Sequence, residues 1–442
     1  MAANHIKRKV RLLTNPQEPV SKVHYGWIVV LMGMLATVGA HGFGRMAYTL
    51  ILPEMCAGLG ITFTKAGMLA SGNLMGYLIF SLVGGILASR YGSRIVIAFS
   101  LLLMGVTMLL TGVAATFEFA LTMRLLTGIG NGGAYVPAMA LGSTWFAMKQ
   151  RGFATGIVSG GIGVGTCIAG IVVPVILIVY GTGGWSYAWY YLGGAVLVIS
   201  AFCWIFLRNR PSDLGLQQVG AGEDRSSSRA PKAPVKMNVG NLQWSLVYRM
   251  KEVWYIGIVY FMYGFSYVIY MTFFKAFLIE AGVADARASA MWALVGGLSI
   301  FCGVIWGGIS DILGRNKGAA LAYLILACSY AIFAVFNSMV AFYLSAVLFG
   351  LSAWSIPTIM AAAAGDHVGP DLAPAGVGFV TLFFGIGQVF GPTVGGYLKD
   401  LTGAFTLSFV VAAVISLLGL AGSLLLIRKP PAEVSPGSGI KV

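Results

Sequence analysis

The chain has 442 residues, 58% of them hydrophobic and 10% charged, with a formal net charge of +14 and a mean hydropathy of +0.86. Soluble domains carry roughly 25% charged residues, so the composition excludes an ordinary soluble protein and predicts a polytopic membrane protein. The basic excess falls between apolar runs, which makes it an anchor against anionic lipid and argues against a nucleic-acid partner.

Crossing the ~30 Å hydrocarbon core takes ~20 mainly apolar residues as a helix. Runs of that kind predict an all-α membrane protein with twelve spanning helices, at about 25–52, 66–89, 95–114, 118–146, 153–180, 185–207, 253–280, 286–309, 318–336, 340–364, 373–398 and 404–427. Residues 1–24 hold a basic cluster without the apolar core of a cleaved signal peptide, so helix 1 is expected to be its own insertion signal. Six helices form an N-terminal bundle over 25–207 and six a C-terminal bundle over 253–428. Between them lies a cytoplasmic linker, 208–252, whose stretch from Arg208 to Asn238 is rich in Pro, Gly, Ser and charge and reads as solvated and disordered. A tail follows at 429–442. With both termini inside, 22 Lys and Arg residues fall in inside segments against three outside, Lys65, Arg287 and Lys399. That asymmetry predicts a bacterial inner-membrane protein with both ends cytoplasmic. Cys56, Cys167, Cys203, Cys302 and Cys328 show no paired spacing and read as small apolar residues.

The chain repeats itself. GFGRMAY at 42–48 matches GFSYVIY at 264–270, an offset of 222, and GILASRYG from Gly85 matches GISDILG from Gly308 near the same offset. Gly163 and Gly165 pair with Gly385 and Gly387 at 222, and Gly130 and Pro137 with Gly350 and Pro357 at 220. One six-helix unit is used twice in parallel orientation, the logic of a transporter whose site lies between its halves near the midplane.

GGILASRYGSR after helix 2 and GGISDILGR after helix 8 resemble the cytoplasmic loop motif of the major facilitator superfamily, and RLLTGIGNGG resembles its helix 4 motif. The resemblance runs from about residue 25 to 428. HYGWIVV, RPSDLGL and FGPTVGGYLKDLTGAF look like the bacterial branch of monocarboxylate porters and oxalate/formate exchangers, while GFGRMAYTLILPEM and GFSYVIYMTFF look still more like the YbfB-like group. It implies the two-bundle fold of that superfamily, with helices 1, 4, 7 and 10 around a central cavity and gating by Arg90, Arg94, Asp311 and Arg315. Ser89 stands where the family usually has Asp, so asymmetric gating is expected.

An ionisable side chain at the bilayer centre costs about 2.5–3.5 kcal/mol and should face a cavity or a partner. Arg45, Arg124 and Lys275 fall inside the predicted spans, whereas Glu54, Glu118 and Glu280 sit at helix ends and Asp366 and Asp371 in a loop. The core is left positive, as a site for an organic anion requires. His41, Arg45 and Tyr48, at i, i+4 and i+7, are expected to share one face, as are Arg124, Asn131 and Tyr135; Tyr260, Tyr263, Tyr267 and Tyr270 form a stripe on helix 7. Arg45 and Tyr267 are equivalent in the repeat. A guanidinium opposite phenols makes a carboxylate cradle, with Asn73, Trp354 and Gln388 as further candidates. Structural readings stand beside these. Arg45 lies about eight residues, ~12 Å, from the outer end and can snorkel; Arg124 can serve packing, Lys275 an interfacial anchor, and the tyrosines helix packing.

No nucleotide loop or metal-ligand cluster is present, so the sequence predicts a transporter with no cofactor instead of an enzyme. The expected protein is a monomer moving a small organic anion, a mono- or dicarboxylate, by symport or anion exchange, with a proton or counter-anion as coupled species. The alternative is a proton-coupled exporter of drugs or metabolites, but helix 5, GIVSGGIGVGTCIAG, lacks the Gly-Pro signature usual in such exporters. Exchange or a substrate-borne proton is favoured over a relay through His41, because a second positive charge one turn from Arg45 is repelled.

Overall fold

The computed structural model describes residues 24–221, 247, 249–368 and 372–425. The expected tails, most of the linker and Asp371 lie outside the described residues. Twelve helices follow in order: α1 Tyr25–Leu59, α2 Phe63–Tyr91, α3 Ser93–Gly112, α4 Phe117–Trp145, α5 Met148–Tyr180, α6 Gly184–Phe206, α7 Lys251–Glu280, α8 Asp285–Leu313, α9 Arg315–Val335, α10 Met339–Val368, α11 Ala373–Thr402 and α12 Thr406–Leu424. Among the described residues, ten helical stretches are long and apolar enough to cross a membrane. One of them, Gln150–Phe206, holds both α5 and α6 on either side of a turn at Gly181–Gly183. Helix α4 falls outside the ten because Glu118, Arg124 and Asn131 interrupt its apolar character.

Helix starts follow local chemistry. The hydroxyls of Thr62, Thr116 and Ser338 accept from the backbone N–H three residues on and cap α2, α4 and α10. The α2–α3 and α8–α9 turns each pass through a left-handed glycine, Gly92 at φ +91° and Gly314 at φ +85°, equivalent positions in the repeat. Two elements differ from expectation. Helix α1 runs past Pro53 to Leu59 instead of stopping at 52, since the proline removes only one backbone donor. The linker is packed as far as residue 221: Val219 forms a parallel bridge with Phe146, exchanging Ala147 N to Val219 O (2.9 Å) and Val219 N to Trp145 O (3.0 Å).

The halves touch through three helix pairs, α1 with α7, α2 with α11 and α5 with α8. At one end these crossings are backbone-tight. A Cβ on Gly67 would lie 2.2 Å from the Pro392 carbonyl oxygen, one on Gly396 2.1 Å from that of Phe63, and one on Gly163 2.6 Å from that of Gly296. Toward the α2–α3 and α8–α9 turns, a Cβ on Gly156 or Gly308 would meet nothing within 4 Å. The tight crossings close the molecule at the α1–α2 loop end.

A methyl group at Gly67 would oppose that closure by about 1–3 kcal/mol, the usual cost of overpacking. Gly67→Ala is expected to increase modification by a water-soluble thiol reagent of Cys56, which is 7% exposed near the closed end. Unchanged Cys56 reactivity in an inserted protein would count against the crossing as a seal.

Candidate functional site

Arg45 Nη2 donates to the Tyr267 hydroxyl at 2.5 Å, and these residues are 222 apart. The Thr49 hydroxyl donates to the Met271 carbonyl, again 222 apart. Equivalent residues that touch must straddle the axis relating the two halves, so Arg45 and Tyr267 mark the centre of the molecule. Gln388 Nε2, on α11, also donates to the Tyr267 oxygen. The Tyr267 ring is stacked on Tyr263 at 4.5 Å and on Phe384 at 5.9 Å, with Trp354 edge-on at 6.1 Å. Trp354 sits where α10 breaks between Ser352 and Ser355, and the Tyr263 hydroxyl donates to the Ala353 carbonyl freed by that break. On the other side, the Arg45 guanidinium lies over the Tyr77 ring at 5.8 Å.

Arg45 occupies an unusual backbone. Between α-helical Tyr25–Thr37 and Tyr48–Leu59, α1 is π-helical over Val38–Met46. The wide turn lets Gly42 press on Gly165, where a Cβ would lie 2.5 Å from the Gly165 Cα. It also corrects the expectation of one shared face. His41 and Arg45 both face Tyr77, His41 packing between Tyr77 at 5.5 Å and Tyr135 at 4.2 Å. Tyr48, beyond the π segment, turns into the N-terminal half, where its hydroxyl donates to the Ala66 carbonyl at 2.8 Å.

Beyond Arg45, toward the closed end, lies a small cavity whose polar lining is Arg45, Tyr48, Thr49, Asn73, Arg124 and Thr272. Arg124 is buried between Tyr48 and Trp189, its guanidinium 4.7 and 4.9 Å from their ring centres, and donates to the Gly44 carbonyl at 2.9 Å. It thereby ties α4 to the π segment. Asn73 Nδ2 donates to the Arg124 carbonyl at 3.2 Å, leaving Asn73 Oδ1 and Arg124 Nε buried with no hydrogen-bond partner. Asn131 is fully buried with both amide atoms unpartnered, and the Tyr135 ring packs on His41. Neither Arg45 nor Arg124 has an ion-pair partner among the described residues.

Two candidates belong elsewhere. Lys275 is buried at the closed end, with Glu54 at 3.1 Å, Asp285 at 2.6 Å and the Leu50 carbonyl at 2.8 Å. Its three donors are used, which removes it from the cavity lining and makes it a bridge from α7 to α1. Tyr270 leaves the helix 7 stripe: its hydroxyl bonds Ser345 at 2.8 Å and its ring packs on Phe349 and Phe333 inside the C-terminal half. The loop residues stay within their own halves. Arg315 pairs with Asp311 at 2.5 Å and Asp366 at 3.1 Å; Arg94 donates to the Trp204 carbonyl at 2.8 Å; Arg90 lies over Tyr91 at 5.4 Å. Sequence reasoning missed Tyr77, Thr49 and Trp189, although Tyr77 at i+4 from Asn73 and Thr49 at i+4 from Arg45 share faces with residues it did select.

Known proteins are similar to this chain in sequence and in fold. A probable sulfoacetate transporter from Cupriavidus necator is 26% identical over 405 residues, covering 86% of this chain and 89% of that protein. A probable galactarate/D-glucarate transporter from Escherichia coli is 24% identical, covering 91% of this chain and 93% of its own. A putative tartrate transporter from Agrobacterium vitis is 23% identical, covering 92% and 90%. The crystal structure of a bacterial homolog of the human lysosomal transporter Spinster, inward-facing and occupied, superposes with a TM-score of 0.73 at 16% identity, covering 92% of this chain and 97% of that one. The sequence profile of the Major Facilitator Superfamily matches residues 34–373 and again 300–441. With two six-helix halves about a central axis and a profile match across most of its length, the chain belongs to the Major Facilitator Superfamily of transporters.

Proposed function

We propose that the protein is a secondary transporter of a small organic anion, working by alternating access between its two halves, with Arg45 as the principal partner of the anion. One observation carries this reading. Of Arg45, Arg124 and Lys275, Lys275 is 0% exposed with its donors used and Arg124 is 1% exposed in an aromatic sandwich, while Arg45 is half-buried at the axis with a neutral phenol as partner. A guanidinium there, without a described carboxylate to neutralise it, favours an anion with bidentate geometry. The relatives whose names specify sulfoacetate, galactarate/glucarate and tartrate support the class, since each name is that of a carboxylate or sulfonate. Arg124 and Asn73 on the cavity wall supply a second polar contact for an anion longer than one carboxylate.

Orientation follows from charge. On this reading the end that carries Arg90, Arg94 and Arg315 faces the cytoplasm across a bacterial inner membrane, in keeping with the preference of Lys and Arg for the cytoplasmic side. On this reading the N-terminal half is 25–207 and the C-terminal half 253–428. His41 is 3% exposed between two phenol rings, a poor place for a proton carrier, which favours a substrate-borne proton or a counter-anion.

The test is uptake of labelled sulfoacetate, tartrate and glucarate into proteoliposomes, with and without an acid-outside gradient and with and without an internal anion. Saturable uptake of at least one is expected, stimulated by one of these two conditions and surviving His41→Gln. Acid stimulation centred near pH 6–7 that vanishes in His41→Gln would instead make the imidazole the carrier. No saturable flux of any organic anion would sink the proposal.

A further inference from the structure

The Tyr267 oxygen accepts from Arg45 Nη2 and from Gln388 Nε2 at once. Two N–H donors converging on one oxygen is how a substrate carboxylate oxygen is held, and here the oxygen belongs to the protein. The ring that carries it has little freedom: Tyr267 is 0% exposed and stacked on Tyr263 with an interplanar angle of 6°. Tyr267 lies on the C-terminal half and Arg45 on the N-terminal half, so the contact exists only because both sit on the axis, where relative displacement on rocking is smallest.

We infer that the Tyr267 hydroxyl is an internal surrogate for the substrate, solvating Arg45 in the empty carrier so that the protein can occlude and reorient without cargo. This rests on Arg45 being the anion site.

The physical argument concerns the occluded intermediate. Alternating access requires a state in which both ends are closed around the site. With anion bound, the Arg45 charge is neutralised; with the site empty, a guanidinium sealed from water needs hydrogen-bond acceptors from the protein. The acceptors at hand are few. Among the described residues no carboxylate pairs with Arg45, and Tyr77 offers its ring face. Gln388 donates to Tyr267 through its nitrogen, which holds the phenol oxygen in place. An arriving anion displaces that oxygen, and a departing one is replaced by it.

The consequence is a difference between two fluxes. Exchange passes through the loaded occluded state in both directions, whereas net uptake also requires the empty one. Losing the acceptor removes a hydrogen bond to a charged group from the empty state only, slowing that return about tenfold or more.

The experiment measures both fluxes in proteoliposomes, using whichever of labelled sulfoacetate, tartrate and glucarate the wild type carries. Net uptake into anion-free vesicles is compared with exchange against the same unlabelled anion inside. Tyr267→Phe keeps the stacked ring, and the ratio of exchange to net uptake is expected to rise at least about tenfold. Gln388→Leu, which leaves the phenol but releases its oxygen, is expected to raise the ratio in the same sense and serves if Tyr267→Phe fails to insert. A ratio that is unchanged or falls would show that Tyr267 contacts cargo directly or merely packs. A wild type that exchanges but shows no net uptake would equally overturn the inference. Full activity of Arg45→Gln in both assays would instead remove the anion site itself, whatever the Tyr267 result.

Discussion

Arg45→Gln is expected to lower anion uptake by at least about 30-fold in a protein that still inserts and folds. Truncating one side of a desolvated charge pair costs about 2–5 kcal/mol, and each 1.4 kcal/mol is tenfold in affinity. The glutamine retains hydrogen-bond donors, so the loss isolates charge. Arg45→Lys retains the charge and loses the planar fork, and uptake should fall at least about tenfold because an ammonium has no fixed parallel donors with which to engage an anion bidentately. Folding should survive both changes. Arg45 is half-buried, its described hydrogen bond is to Tyr267, and the π segment that carries it is held by Arg124 through the Gly44 carbonyl, a bond that does not involve the Arg45 side chain. Wild-type affinity in a folded Arg45→Gln protein would remove Arg45 from the site.

The contact that places Arg45 on the axis was legible from the repeat. An offset of 222 between GFGRMAY and GFSYVIY made Arg45 and Tyr267 equivalents, and the fold brings those two side chains together. Helix number and the two-half organisation were legible for a general reason: spanning a hydrocarbon layer fixes length and polarity so tightly that composition alone marks the helices. What escaped lay in the backbone and in distant partners. Spacing of i, i+4 and i+7 assumes 3.6 residues per turn, and Val38–Met46 has a wider turn, so the Tyr48 hydroxyl packs into the N-terminal half instead of facing Tyr77 beside His41 and Arg45. Lys275 counted among the core cations because Glu54 was set at the end of a helix stopping at residue 52; with α1 continuing to Leu59, Glu54 comes within 3.1 Å of it. Asp285, the other partner, opens the next helix, and nothing in the local pattern announces that contact.

That bridge supports the second large effect, Lys275→Met, which should destabilise the closed end. Lys275 Nζ, on α7, holds Asp285 of its own half at 2.6 Å, and across the interface Glu54 at 3.1 Å and the Leu50 carbonyl at 2.8 Å. Each carboxylate already has one buried oxygen without a hydrogen-bond partner, Glu54 Oε2 and Asp285 Oδ2. Replacing the ammonium by a thioether of similar length leaves two carboxylates facing each other across the two halves. Breaking a buried pair from one side costs about 3–5 kcal/mol. Opening this end hydrates and separates the carboxylates, so the cost falls on the closed conformation and shifts the population toward the open one by more than about 100-fold. A second link limits the shift: Asp400 of α11 accepts from the backbone N–H groups of Phe63 at 3.1 Å and Thr64 at 2.7 Å, capping α2 from the opposite half. Reaction of Cys56 with a water-soluble thiol reagent is expected to rise steeply in Lys275→Met, and uptake to fall. Glu54→Gln added to Lys275→Met removes the opposing charge and should restore part of both. Cys56 reactivity in Lys275→Met equal to that of the wild type would mean that the lysine does not hold this end shut.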